Sequence, residues 1–236
     1  MGVARLEGRL LSRIVRAYDE PITRAYCHVR VFIIRERFLE QIGRHLPASG
    51  TVLDIGCGFG LFALYFAATV PGVEIRGFDV SPRRVAAARR AARTLGLRNV
   101  QFEVADAAAM TRQDASAVYM VDLIHHVQPG SVPGLLHTIA SSLAADGRLV
   151  IKDIEPAPRY KLAFTWLLDK LVDYRAPVHY WTPADVQQML QSLGFQVNQQ
   201  RMPDFLPYPH ILYVGTREGV QNQLPTPNFH PPTCRS

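Results

Sequence analysis

Nine residues, VLDIGCGFG from Val52 to Gly60, place glycines at alternate positions and an acid two places before the first of them. A glycine-rich turn after an apolar run lets backbone approach a ligand closely, and the helix that follows points its N-terminus at it. A dinucleotide pyrophosphate asks for G-x-G-x-x-G. Here Gly56, Gly58 and Gly60 are one residue tighter, and a pyrophosphate has no use for the carboxylate of Asp54. That acid makes better sense beside a ligand with a positive charge or an amino group. Cys57, inside the turn, suits a small buried space-filler. Further along, VDLIHH holds Asp122, His125 and His126, and IKDIEP holds Lys152, Asp153 and Glu155. Histidine titrates near neutrality, so the adjacent pair His125 and His126 are the candidates for moving a proton. Asp153 and Glu155 with a histidine could in principle ligate a divalent metal.

The elements that would carry these groups alternate from Thr51 onward. Short β-branched runs at 51–56, 73–80, 99–106, 117–126 and 148–156 predict five strands. Helical stretches lie between them at 60–70, 83–96 and 131–147, the last two stopped by Gly96 and Gly147. Ser81-Pro82 and Thr182-Pro183 read as an N-cap followed by proline at the first helical position. Strands separated by helices imply a parallel sheet covered on both faces. FQVNQQRM and HILYVGTR, the sixth and seventh strands, have only PDFLPYP between them. Parallel neighbours need a crossover of about a dozen residues or more, so this pair is antiparallel.

VLDIGCGFG resembles motif I of class I S-adenosylmethionine-dependent methyltransferases, and the resemblance continues in order over roughly residues 50–215. It implies an α/β, doubly wound, seven-stranded sheet, mostly parallel with an antiparallel last strand, of the Rossmann-like kind. It also implies S-adenosyl-L-methionine as cofactor. By resemblance the turn Gly56, Cys57, Gly58 and Gly60 passes under the amino acid part of the cofactor, with Asp54 holding its ammonium. Asp79, with Val80 beside it, would accept the ribose hydroxyls. Asp106 and Ala107 would lie at the adenine amino group, and Asp122 with the histidines would face the methyl donor. Of the pair, His126 is favoured over His125 as the base. The Asp-Asn pair of the metal-using catechol enzymes is absent, so no metal is expected. So is the Asn/Asp-Pro-Pro-Tyr signature of enzymes that modify amino nitrogens, which turns the expectation towards oxygen or carbon.

The chain has 236 residues, 48% of them hydrophobic and 19% charged, enough for a sizeable core. No apolar stretch approaches the length of a membrane span, and the arginine-rich N-terminus lacks the apolar segment of a secretion signal. Cys27, Cys57 and Cys234 are odd in number and scattered, so the expectation is a reducing, cytoplasmic setting. Residues 1–50 hold nine arginines against five acids and so carry +4 of the net +6. Residues 3–46 read as helices, the third of them spanning 31–46. The expected organisation is a helical N-terminal cap at 1–48, a methyltransferase domain at 49–218 with a helical insert at about 157–182, and a mobile tail at 219–236. The insert carries Phe164, Trp166, Tyr174, Tyr180 and Trp181, the makings of an apolar pocket. The expected substrate is therefore a small hydrophobic or lipid-like molecule of natural-product or lipid metabolism, met at a membrane surface through the N-terminal helices. Nucleic acid is disfavoured because basic residues are not gathered beside exposed aromatics. An RNA methyltransferase, and a fold relative that catalyses a cyclisation instead, are the other readings.

Overall fold

The computed structural model describes residues 3–156, 178–203 and 208–217, with side chains from Arg9 onward. The tail, the loop centre at 204–207 and the insert up to residue 177, with Phe164, Trp166 and Tyr174, lie outside the described residues.

Seven strands form one sheet in the order β3-β2-β1-β4-β5-β7-β6. They are β1 (Gly50–Ile55), β2 (Val73–Asp79), β3 (Val100–Val104), β4 (Ala115–Val121), β5 (Leu143–Ile154), β6 (Phe195–Met202) and β7 (His210–Arg217). β1 with β2, β2 with β3, and β4 with β5 pair parallel, whereas β7 runs antiparallel to both β5 and β6. The mostly parallel sheet and the reversed seventh strand are as expected. The described helices are α1 (Val3–Arg16), α2 (Pro21–Ile33), α3 (Glu36–Gly43), α4 (Leu61–Thr69), α5 (Pro82–Leu95), α6 (Val132–Ser141) and α7 (Pro183–Ser192). Ser81 and Thr182 cap α5 and α7, Thr182 in a reciprocal capping box with Asp185. The described chain divides into two compact units, one ending at Asp106 and the other starting at Ala107.

Three expected boundaries move. The helix expected over 31–46 is broken: α2 runs to Ile33, Arg35 is extended, and α3 starts at Glu36. Ile33, Ile34, Phe38, Leu39 and Ile42 are all buried. On one straight helix they would be spread around most of its circumference, and the break lets α3 turn its own apolar face inward. The helix expected over 131–147 stops at Ser141, and the LAADG segment begins β5. Leu143 pairs with Ala115, the register then shifts, and Arg148 pairs with Ala117. Gly147 lies so close there that a Cβ would sit 2.8 Å from the Ala115 carbonyl. Finally, β4 ends at Val121. Asp122 has a left-handed backbone with φ 53°, and Ile124–His126 form a single 3-10 turn.

Candidate active site

The first unit builds a rigid turn at the carboxyl end of β1. Asp54 is 2% exposed on the strand itself. The Phe78 carbonyl, at the end of β2, accepts from the N–H groups of both Gly56 and Cys57, at 2.8 and 2.9 Å. The Asp79 carboxylate accepts the Gly58 N–H through Oδ2 and the Ser81 N–H through Oδ1, each at 2.9 Å. One acid therefore ties the glycine turn to the start of α5. Gly58 (φ 55°) and Gly60 (φ 75°) occupy the left-handed region, which side chains with a Cβ rarely adopt. At Gly60 a Cβ would also lie 2.6 Å from the Phe102 ring. Burial, and then the nearby Asp54 and Asp79, push the Cys57 thiol well above its ordinary range, so it stays neutral. That agrees with a space-filling role.

The N-terminal helices are fastened to this turn. The buried Tyr18, just past α1, donates its hydroxyl to the Phe59 carbonyl at 2.9 Å. Tyr26 of α2 packs on the Phe59 ring with centroids 5.2 Å apart, and the Arg84 guanidinium lies 5.9 Å from that ring's centre. Asp19 and Glu20 pair with Arg90 and Arg83 of α5. Arg89 donates to the Phe102 carbonyl at 2.8 and 2.6 Å. The arginines of RRVAAARRAAR thus partly serve internal contacts. Val80 is 69% exposed beside Asp79, and Asp106 is exposed beyond β3.

The second unit gathers polar groups behind the end of β4. Lys152 is fully buried, and its Nζ donates to Asp122 Oδ1, while the Asp122 N–H donates to the Lys152 carbonyl at 2.8 Å. A buried ammonium is tolerable only with such a partner. The neighbouring acid, Asp153, takes the Nδ1 of His125 on one oxygen and the Ile124 N–H on the other at 3.1 Å. With the Asp153 carboxylate as acceptor, Nδ1 of His125 is the donor, which fixes the orientation of the ring. His125 is 1% exposed; Tyr180 stacks on it at 5.7 Å, and the His179 N–H donates to its carbonyl at 2.8 Å. His126 is half-buried, its ring 4.0 Å from that of His125. Glu155 is held by Arg201 through two bonds of 2.8 and 2.7 Å. Ala107 opens a separate 3-10 turn, Ala107–Ala109.

A family model described as a methyltransferase domain matches residues 24–200. The chain belongs to this methyltransferase family. The curated relatives include the 23S rRNA (uracil(747)-C(5))-methyltransferase RlmC of Serratia proteamaculans, 28% identical over 136 residues, which are 52% of this chain and 34% of that one. Demethylmenaquinone methyltransferase of Thermus thermophilus is 32% identical over 108 residues, 46% of this chain and 49% of that one. The aligned parts span about a third and about a half of those relatives. Among solved structures, magnesium protoporphyrin IX methyltransferase (ChlM) from Synechocystis PCC 6803, with bound SAH, superposes with TM-score 0.61 at 19% identity, over 91% of this chain and 96% of that one. The [4+2]-cyclase SpnF superposes with TM-score 0.64 at 15% identity, over 77% and 80%. These two likenesses establish the class I methyltransferase fold.

The residues of the first unit fit the cofactor of this class, S-adenosylmethionine. At Gly58 nothing lies within 4 Å of where a Cβ would be, so the turn leaves open space there, and Asp54 offers a buried carboxylate suited to an ammonium. Asp79 spends one acceptor site of each oxygen on Gly58 and Ser81, and a carboxylate has about four such sites, leaving room for two hydroxyl donors. The structure brings Asp54, Gly56, Cys57, Gly58, Gly60, Asp79 and Val80 together in one unit, and Asp122, His125 and His126 in the other. Sequence reasoning missed the anchoring by Tyr18, the Lys152 partner of Asp122 and the Asp153 partner of His125. The last two had a visible signal: charged residues inside the apolar run of β5.

Proposed function

We propose that the chain transfers a methyl group from S-adenosylmethionine to oxygen or carbon of a small, rather apolar molecule. The observation that carries the reading is the turn Gly56–Gly60, held by Asp79 with three left-handed glycines and open space at Gly58, within a chain of the methyltransferase family. The sulfonium supplies a methyl that a nucleophile displaces in line, with a neutral thioether leaving. The protein's own work is to hold the cofactor, align the nucleophile and take up a proton. Asp54 receives the ammonium, Asp79 the ribose hydroxyls with Val80 alongside, and Asp106 with Ala107 the adenine edge. His126 accepts the substrate proton, because it is the half-buried member of the pair. His125, sealed by Tyr180 and oriented by Asp153, positions it. Asp122, already bonded to Lys152, is a structural acid at the strand end as much as a neighbour of the methyl donor.

Two relatives, named for demethylmenaquinone and for magnesium protoporphyrin IX, favour a small molecule over a macromolecule. The RNA reading draws on the RlmC relatives and the net charge of +6. Against it, Arg83, Arg89 and Arg90 serve contacts within the protein. A cyclising relative shares the fold, and a fold does not fix a reaction. The test is incubation with methyl-labelled S-adenosylmethionine and a panel of apolar phenols, quinols and carboxylic acids, with total RNA as a parallel acceptor. Label in an organic extract supports the reading; label only in RNA would replace it.

A further inference from the structure

The exposed face of α2 carries no formal charge. Pro21, Ile22, Ala25, His28, Val29 and Phe32 are all exposed, with Ile22 at 77%, Val29 at 49% and Phe32 at 59%. Ile22, Ala25, Val29 and Phe32 follow the 3-4-3 spacing of a single helical stripe, about 15 Å long. The opposite face holds the buried Thr23 and Cys27. A soluble surface helix normally shows the reverse, with its charges outward. α1 packs against α2, and its exposed positions Arg9, Arg13 and Arg16 recur at 4-3 spacing, an outward stripe of arginines over buried Leu10, Leu11, Ile14 and Val15. Apolar side chains on one helix and cations on its neighbour match what an anionic bilayer offers: headgroups for the arginines, acyl boundary for the apolar stripe.

We propose that the α1–α2 cap is a docking surface for an anionic lipid bilayer. Ile22, Val29 and Phe32 enter the headgroup–acyl boundary, and Arg9, Arg13 and Arg16 face the anionic headgroups. Tyr18, Asp19 and Glu20 fasten the cap to the glycine turn and α5, so a docked cap holds the first unit at the membrane surface. The described residues include no helix long and apolar enough to cross a membrane, so this contact is peripheral. It is independent of the methyl-transfer reading.

The test is flotation of the full chain with vesicles of phosphatidylcholine alone and of phosphatidylcholine mixed with phosphatidylglycerol. Three variants accompany it: Ile22→Ser/Phe32→Ser, the milder Val29→Ser, and Arg13→Glu/Arg16→Glu. Thermal melting of each shows that it is folded. The expected result is flotation with the phosphatidylglycerol vesicles, weakened by salt, and a bound fraction lower by about tenfold or more in both double variants. Absence of flotation by the natural chain, or undiminished flotation by the folded variants, would overturn the proposal. So would a dimer in sedimentation that Val29→Ser or Ile22→Ser/Phe32→Ser dissolves, since the stripe would then be covered by a second copy.

Discussion

Asp79 and Gly58, 21 residues apart, are joined by a 2.9 Å hydrogen bond from the glycine N–H to the carboxylate. The acid at the end of β2 thus shapes the turn at the end of β1 before any ligand arrives. Its other oxygen takes the Ser81 N–H at the start of α5. A single side chain couples the glycine turn, the second strand and a helix start, so the cofactor would meet a preformed cradle.

Tyr18→Phe tests whether the N-terminal cap supports that cradle. The change removes the partly buried hydrogen bond to the Phe59 carbonyl and leaves that acceptor short of its partner. We expect a loss of about 1 kcal/mol in stability. A several-fold weaker affinity for S-adenosylhomocysteine should accompany it. Urea unfolding and calorimetry measure the two; an unchanged affinity would mean the cap does not brace the turn.

The roles of the two histidines separate by substitution. His126→Ala should spare cofactor affinity and lower kcat by about a hundredfold, the ordinary worth of a general base. Asp153→Asn should act through His125 and shift the pH profile of kcat while leaving cofactor affinity in place. Normal turnover by His126→Ala with loss in His125→Ala would reverse the assignment.

Alkali should destabilise the protein. Burial pushes the Cys27 thiol up from 9.0 to about 12. Between those values the unfolded chain has lost a proton that the folded chain keeps, so stability falls as pH rises through that window. The buried Cys57 and Tyr18, both raised by burial, add to the trend. Urea midpoints measured from about pH 8 to about pH 11 should decline, and decline less steeply in Cys27→Ala. Equal slopes would remove Cys27 from the account.

Much of this was legible in the chain because it is local. Gly96 and Ser81 mark the two ends of α5, and the short loop after β6 forces an antiparallel return. What escaped depends on register between distant strands. Lys152 reaches Asp122 because Val121 pairs with Lys152 in the sheet, and Asp153 reaches His125 across 28 residues for the same reason. Nothing local to Tyr18 announces a partner 41 residues away. The break at Arg35 was equally hidden: helix propensity persists through 31–46, and only the joint burial of Ile33, Ile34 and Leu39, which would point to different sides of one straight helix, decides it.

The most direct measurement is calorimetric titration of the protein with S-adenosylhomocysteine, repeated on Asp79→Ala. The natural chain should bind, and the affinity of the variant should be lower by about tenfold or more, from lost hydrogen bonds to a charged acceptor. Failure of the natural chain to bind, or equal binding by Asp79→Ala, would contradict this assignment.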